Sequence, residues 1–168
     1  PREYILIRVL FVCLGNICRS PASEGVFRNI VANAGLDDVI GVDSAGMGGW
    51  HVGDPPDSRG QAAAVKRGYN LSGQRARQVT ISDFADFDYI IGMDRSNCAE
   101  LTAMAPKKAR DKIKLFLDFA PQFGLQDVPD PYYGGPEGFE TVLDLVEEAS
   151  KGLLGDIEKQ HFSVGFKS

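Results

Sequence analysis

The sequence holds no apolar run of about 18 residues, the length a membrane-spanning helix needs. Its longest apolar stretch, Ile5 to Cys13, is interrupted by Arg8. Positive charge is not in excess either: 18 Lys and Arg face 23 Asp and Glu, a formal net charge of −5. That balance argues against nucleic acid or an anionic membrane surface as the main partner. Histidine is scarce, with two in 168 residues, and cysteine nearly so, with three. An odd cysteine count, two of them in one short loop, fits the reducing cytosol rather than a disulfide framework. Neither a CxxC pair nor a histidine cluster is present, so no metal is expected. The GxxxxGK[ST] nucleotide loop and a dinucleotide fingerprint are missing too, so no cofactor is expected. No small-residue cleavage site follows the N-terminal apolar segment, which favours a cytoplasmic location.

What is there is the composition of a globular domain, 43% hydrophobic and 24% charged, and residues 1–168 read as a single domain without linker, repeat or low-complexity tract. Tyr4 to Cys13 is rich in β-branched and aliphatic residues and predicts a strand buried on both faces. A loop from Leu14 leads to a helix whose N-cap is expected at Ser20, with Pro21 in its first turn and Gly35 at its end. Val39 to Asp43 predicts a second strand, and Asp57 caps a helix that stops at Gly68. Val79 to Phe87 holds a short helix capped by Ser82. Asp88 to Met93 is a third strand, Ser96 to Met104 a helix, and Ile113 to Leu117 a fourth strand. A final helix runs from about Glu137 towards Gln160, its buried stripe carrying Phe139, Val142, Leu143, Val146, Leu153 and Ile157, with Gly152 and Gly155 as points where it could bend or break. Strands alternating with helices imply a four-stranded parallel sheet with helices on both faces, a three-layer α/β domain. Ligands bind such sheets beyond the carboxyl ends of the strands.

From one such end emerges Cys13-Leu14-Gly15-Asn16-Ile17-Cys18-Arg19-Ser20. Successive amides in a loop between a strand and a helix N-terminus can curl around a tetrahedral anion, and the helix dipole favours negative charge there. Gly15 is expected to supply backbone angles that other residues avoid. Arg19 offers a planar fork that matches two phosphate oxygens. Cys13 at the floor of this cradle would be favoured as the thiolate and poised to attack a bound phosphate. Ser20 can donate to that thiolate, and Asn16 can brace the loop.

Attack on a phosphate ester also needs a proton donor for the leaving oxygen. His51 and His161 read as surface residues. Asp130 is the better candidate, since Pro129 and Pro131 restrict the backbone around it, although an Asp-Pro step also fits an ordinary turn. Trp50, Tyr132 and Tyr133 fall in loops, where they can wall a slot for a flat ring or pack over the core edge.

With these residues in view, the chain resembles the low molecular weight protein tyrosine phosphatases. VLFVCLGNICRSP (Val9 to Pro21) is similar to that family's N-terminal signature, and DPYYGG (Asp130 to Gly135) to its acid loop. DSAG (Asp43 to Gly46), RARQ (Arg75 to Gln78) and MDRSN (Met93 to Asn97) lie between them in the same order. The resemblance implies a flavodoxin-like fold and metal-free hydrolysis of phosphotyrosine and other aryl phosphates through a phosphocysteine intermediate. It makes Cys13 the nucleophile, Arg19 the phosphate ligand and Asp130 the general acid and then base. Leu14, Gly15, Asn16, Ile17, Cys18 and Ser20 would form the phosphate-binding loop, supported by Ser44, and Trp50, Tyr132 and Tyr133 the substrate pocket. It further implies a phosphotyrosine-containing protein as substrate, a tyrosine kinase acting on Tyr132 or Tyr133, and a protective disulfide between Cys13 and Cys18. One position departs: a histidine is common just before the (K/R)ARQ segment, and here it is Gln74, expected to brace the loop without ionising.

Three other readings compete. An arsenate reductase of the same fold needs further cysteines, and Cys98, the only one outside the loop, falls within a helix. A protein arginine phosphatase tends to carry threonine where this chain has Ile17, and an aliphatic wall suits an aromatic ring better. A silent phosphate-binding or thiol redox-sensing module would lack the nucleophile or the acid, and both are present.

Overall fold

The computed structural model describes residues 7–162. The expected first strand begins at Tyr4, so its first three residues lie outside that range. Within it, β1 (Ile7–Cys13) is flanked by β2 (Ile40–Gly46) on one side and β3 (Tyr89–Gly92) on the other, with β4 (Ile113–Leu115) beyond β3. All three pairings are parallel. The order β2-β1-β3-β4 reverses direction at β1, and such a switch point opens a crevice at the strands' carboxyl ends.

Alternation along β1 sorts the core into two halves. Val9, Phe11 and Cys13 face α1 (Arg19–Asn33) and α5 (Pro136–Ile157), joining Val26, Phe27, Val142 and Val146. Leu10 and Val12 face α3 (Asp83–Asp86) and α4 (Arg95–Met104), joining Phe84 and Leu101. β1 is therefore covered on both faces, which is why it reads as a continuous apolar run. The remaining helix, α2 (Ser58–Lys66), packs against α5.

Several local expectations need correction. Helix α1 starts at Arg19 with Cys18 in the N-cap position and no side chain capping it, because the Ser20 hydroxyl is directed at Cys13 instead. β2 extends past Asp43 to Gly46, since Ser44, Ala45 and Gly46 continue in register with Phe11, Val12 and Cys13. Ser82 precedes α3 without capping it; the Asp83 carboxylate accepts from the Thr80 amide in its place. Helix α5 runs unbroken through Gly152 and Gly155 to Ile157. A Cβ at Gly152 would collide with the Phe119 carbonyl, so that glycine serves a close approach rather than a bend. The expected stops hold: Asp57 caps α2, and Gly35 and Gly68 take positive φ after α1 and α2.

Candidate active site

The carboxyl end of β1 delivers Cys13 to the base of a cleft of about 340 Å³ whose walls include Leu14, Ile17, Arg19, Trp50, Asp130 and Tyr132. Cys13 is buried, and its Sγ receives the Asn16 amide at 3.3 Å and lies 3.1 Å from Ser20 Oγ. The bend that aims the Asn16 amide back at sulfur requires a left-handed residue, and Asn16 itself supplies it with φ 59°. Asparagine tolerates that region better than other side chains with a Cβ. Gly15 was expected in this role, but its φ is not positive. A Cβ there would press on the His51 ring at 3.1 Å, so Gly15 serves the packing of a neighbouring loop. The amides of Gly15, Ile17 and Cys18 have no hydrogen bond to the protein among the described residues, leaving donors at the loop for an anion.

Asn16 is the hub of the loop. Its Nδ2 donates to Ser20 Oγ at 2.8 Å and to Ser44 Oγ at 3.0 Å, while its Oδ1 accepts the Arg77 amide at 3.0 Å. Ser44 Oγ in turn donates to Glu24 Oε1 at 2.7 Å, and Arg28 clasps Glu24 Oε2 through Nε and Nη2. This chain sets a direction for the protons. Ser20 Oγ accepts from Asn16, which leaves its one proton to be given either to the Cys13 sulfur at 3.1 Å, as a thiolate requires, or to the Ala45 carbonyl at 3.4 Å. Gln74 does not join the network: its Nε2 donates to the Pro21 carbonyl at 3.0 Å. It steadies the first turn of α1, and the bracing expected of it falls to Glu24 and Arg28.

Arg19 is buried with its guanidinium fixed at three points. Nη1 donates to Asp94 Oδ2 at 2.7 Å and to the Val128 carbonyl at 2.9 Å, and Nη2 lies 3.6 Å from Asp130 Oδ2. Burial works against its charge, but Cys13, Asp94 and Asp130 outweigh burial and raise its pKa above the usual arginine value. Asp94 is placed by the start of α4, where it forms a reciprocal capping box with Asn97. Neither Asp94 nor Glu24 was singled out from the sequence. Asp94 had a usable signal, a D-x-x-N box before a helix, and Glu24 had an i,i+4 partner in Arg28.

Asp130 comes from the far end of the chain, 41% exposed at its side chain, with Oδ1 accepting the Tyr132 amide at 3.1 Å. Trp50, Tyr132 and Tyr133 all line the cleft, yet Trp50 and Tyr133 are 71% and 93% exposed, so they form an open rim rather than the walls of a deep slot. His51, expected at the surface, joins the lining as well. His161 is exposed and lies 3.1 Å from the Tyr89 hydroxyl, away from the cleft. Cys18 lines the cleft too, but burial first, then Asp57 and Cys13, pushes its thiol up to about 12, so it stays protonated beside Cys13. Cys98 packs outside the site, its Sγ toward the Lys114 carbonyl. Among the described residues no group of three or more His, Cys, Asp or Glu is placed to hold a metal ion.

Residues 8–163 match the family model described as low molecular weight phosphotyrosine protein phosphatase. The chain is 48% identical to the low molecular weight protein-tyrosine-phosphatase YfkJ of Bacillus subtilis over 155 residues, covering 92% of this chain and 98% of that one. It is 44% identical to the low molecular weight phosphotyrosine protein phosphatase of Homo sapiens, over 91% of this chain and 95% of that one. The crystal structure of a protein tyrosine phosphatase from Entamoeba histolytica superposes with a TM-score of 0.89 at 42% identity, covering 92% of this chain and 98% of that chain.

Proposed function

The chain belongs to the low molecular weight phosphotyrosine protein phosphatases, a family of hydrolases, and from that premise we propose how its residues divide the work. Cys13 attacks phosphorus as the thiolate, forming an S–P bond as the P–O bond to the aryl oxygen breaks. Arg19 and the loop amides hold the equatorial oxygens, whose charge grows in the transition state. Asp130 gives its proton to the departing phenolate, then as carboxylate takes one from the water that cleaves the S–P bond and frees inorganic phosphate. The observation that carries this reading is the meeting of residues from opposite ends of the chain: Asp130 stands 3.6 Å from Arg19 Nη2 in the cleft that ends at Cys13.

Residues 1–168 act as one phosphatase domain on this reading, in keeping with a single sheet and a family match over residues 8–163. The substrate is a protein bearing phosphotyrosine, which enters as a flat ring between the half-buried Ile17 and the aromatic rim. Tyr133, almost fully exposed, and its neighbour Tyr132 are accessible to a tyrosine kinase. Cys18 stands in the same loop as Cys13 as a thiol, and on giving up its proton it can close a disulfide with a Cys13 sulfenic acid, releasing water. A thiol pair of this kind suits the cytoplasm, and among the described residues no helix is long and apolar enough to cross a membrane.

The test is hydrolysis of p-nitrophenyl phosphate from mildly acidic to neutral pH with EDTA present. Turnover should persist with EDTA, vanish in Cys13→Ser, and fall about a hundredfold or more in Asp130→Ala. Fully reduced, folded protein without turnover would overturn the assignment. Phosphotyrosine peptides should then be preferred over phosphoarginine peptides.

A further inference from the structure

We infer that Arg59 is a positioning residue that ties the anion loop to the acid loop and so aims Asp130; this deepens the reading of Asp130 as general acid and rests on it. Arg59 lies in the first turn of α2, two residues after the cap Asp57, and it folds back on that cap. Its Nε and Nη2 meet the two carboxylate oxygens of Asp57 at 3.0 and 2.9 Å, a fork-to-fork pair. Asp57 is in turn pinned to the anion loop, because its amide donates to the Ile17 carbonyl at 2.8 Å. The pair therefore forms a post standing on the phosphate loop.

From that post the same Nη2 reaches across to the acid loop and donates to the Tyr132 carbonyl at 3.0 Å. The guanidinium carbon also lies 5.7 Å from the Tyr132 ring centroid and 5.0 Å from that of Phe139 at the start of α5. These contacts bear on Asp130 directly, since the Tyr132 amide is the donor that Asp130 Oδ1 accepts. Holding the carbonyl and ring of Tyr132 thus holds the residue that orients the carboxylate. Apart from this link, Asp130 depends on a 3.6 Å approach to Arg19 Nη2, and it is otherwise open to solvent. A planar fork can serve a carboxylate and a carbonyl at once and still lie near two rings, which an ammonium group cannot match.

A residue that aims a general acid leaves a signature that a merely structural one does not. Loss of proton donation penalises a poor leaving group far more than a good one. The measurement is kcat/KM for phenyl phosphate and for p-nitrophenyl phosphate in wild type, Arg59→Gln, Arg59→Lys, Asp130→Ala and the Arg59→Gln/Asp130→Ala double variant. Inorganic phosphate inhibition is read in parallel. In Arg59→Gln the phenyl phosphate value should fall about tenfold further than the p-nitrophenyl phosphate value, as misplacement of a catalytic group by a fraction of an ångström allows. Phosphate inhibition should stay at wild type. In the Asp130→Ala background the Arg59 change should not widen the gap further, because the group it aims is gone. Arg59→Lys should show the same selective loss, and it decides the matter alone if Arg59→Gln does not fold. Equal losses on both substrates, weakened phosphate inhibition, a gap that widens even without Asp130, or a lysine variant with the wild-type ratio would each overturn the inference. If Asp130→Ala itself kept the wild-type ratio, the acid assignment would fall. If it widened the gap and Arg59→Gln did not, only the role of Arg59 would fall.

Discussion

At the phosphate end of the cleft, Asn16, Arg19, Ser20 and Ser44 are buried and every one of their polar side chains has a protein partner. At the aryl end, Trp50 and Tyr133 project into solvent, and Asp130 is tied by one amide and one long ion pair. The difference follows from what each end must recognise. A phosphoryl group has one shape and a charge that grows in the transition state, so donors fixed in advance serve it without reorganising. A tyrosine on a protein arrives with variable neighbours, so an open aromatic rim gives contact area at little conformational cost. Substitutions at the first end should therefore damage the chemistry of every substrate, and those at the second should change which substrate is favoured.

The largest break in that contrast should come from Arg19→Lys. An ammonium group cannot keep the contacts to Asp94 and Val128 and also offer a fork to phosphate. Turnover should fall about 10³-fold, the scale of losing one donor to developing charge. The fall should be large for phenyl and p-nitrophenyl phosphate alike, with only a smaller extra loss on phenyl phosphate from the 3.6 Å tie between Arg19 and Asp130. A drop confined mainly to the poorer leaving group would show that Arg19 acts mainly through Asp130.

Asn16→Ala comes next. It removes both bonds from Nδ2, strands the Arg77 amide, and forces alanine into a left-handed conformation. The combined cost is roughly 3 kcal/mol of stability, to be read as a lower denaturant midpoint. Turnover should fall about a hundredfold as Ser20 and the loop lose their fixed geometry. Full activity in the folded variant would mean that the hub is ornamental to the loop.

These residues also show where the sequence was readable. The parallel sheet was legible in the alternation of strands and helices along the chain, and the anion loop in one contiguous stretch, since strand, loop and helix follow one another from Ile7 to Asn33. Of the bracing, Asn16, Ser20 and Ser44 were named and do meet, but their outer partners were not. Glu24 meets Ser44 across 20 residues, Arg19 meets Asp94 across 75, and Arg59 meets Tyr132 across 73. Contacts of that kind depend on how β2 sits beside β1, α2 against α5 and α4 against β3 and β4, and no local pattern carries that. Gln74 shows the converse error. Its position next to RARQ suggested the loop network, yet its Nε2 donates to the Pro21 carbonyl and its buried Oε1 has no partner among the described residues. The left-handed residue was likewise assigned to Gly15 on general preference. Steric demand from His51 claims that glycine, and the turn falls to Asn16.

The smallest effect tests the other half of the contrast. Tyr133 meets Tyr132 edge to face at 4.8 Å between centroids and otherwise faces solvent. Tyr133→Ala should leave stability within about 0.5 kcal/mol, as for surface changes generally. An edge-to-face aromatic pair is worth only about 0.5–1.5 kcal/mol, and an exposed one sits at the lower end. For p-nitrophenyl phosphate, a small ring that stays within the cleft, kcat/KM should move less than about threefold on that energy scale. For phosphotyrosine peptides, KM should rise while kcat holds, because the rim contributes to binding in the ground and transition states alike. The comparison of peptide with small substrate is the sharper reading of the two. A Tyr133→Ala variant that lost kcat on both would mean that Tyr133, and not only Tyr132, holds the acid loop in place.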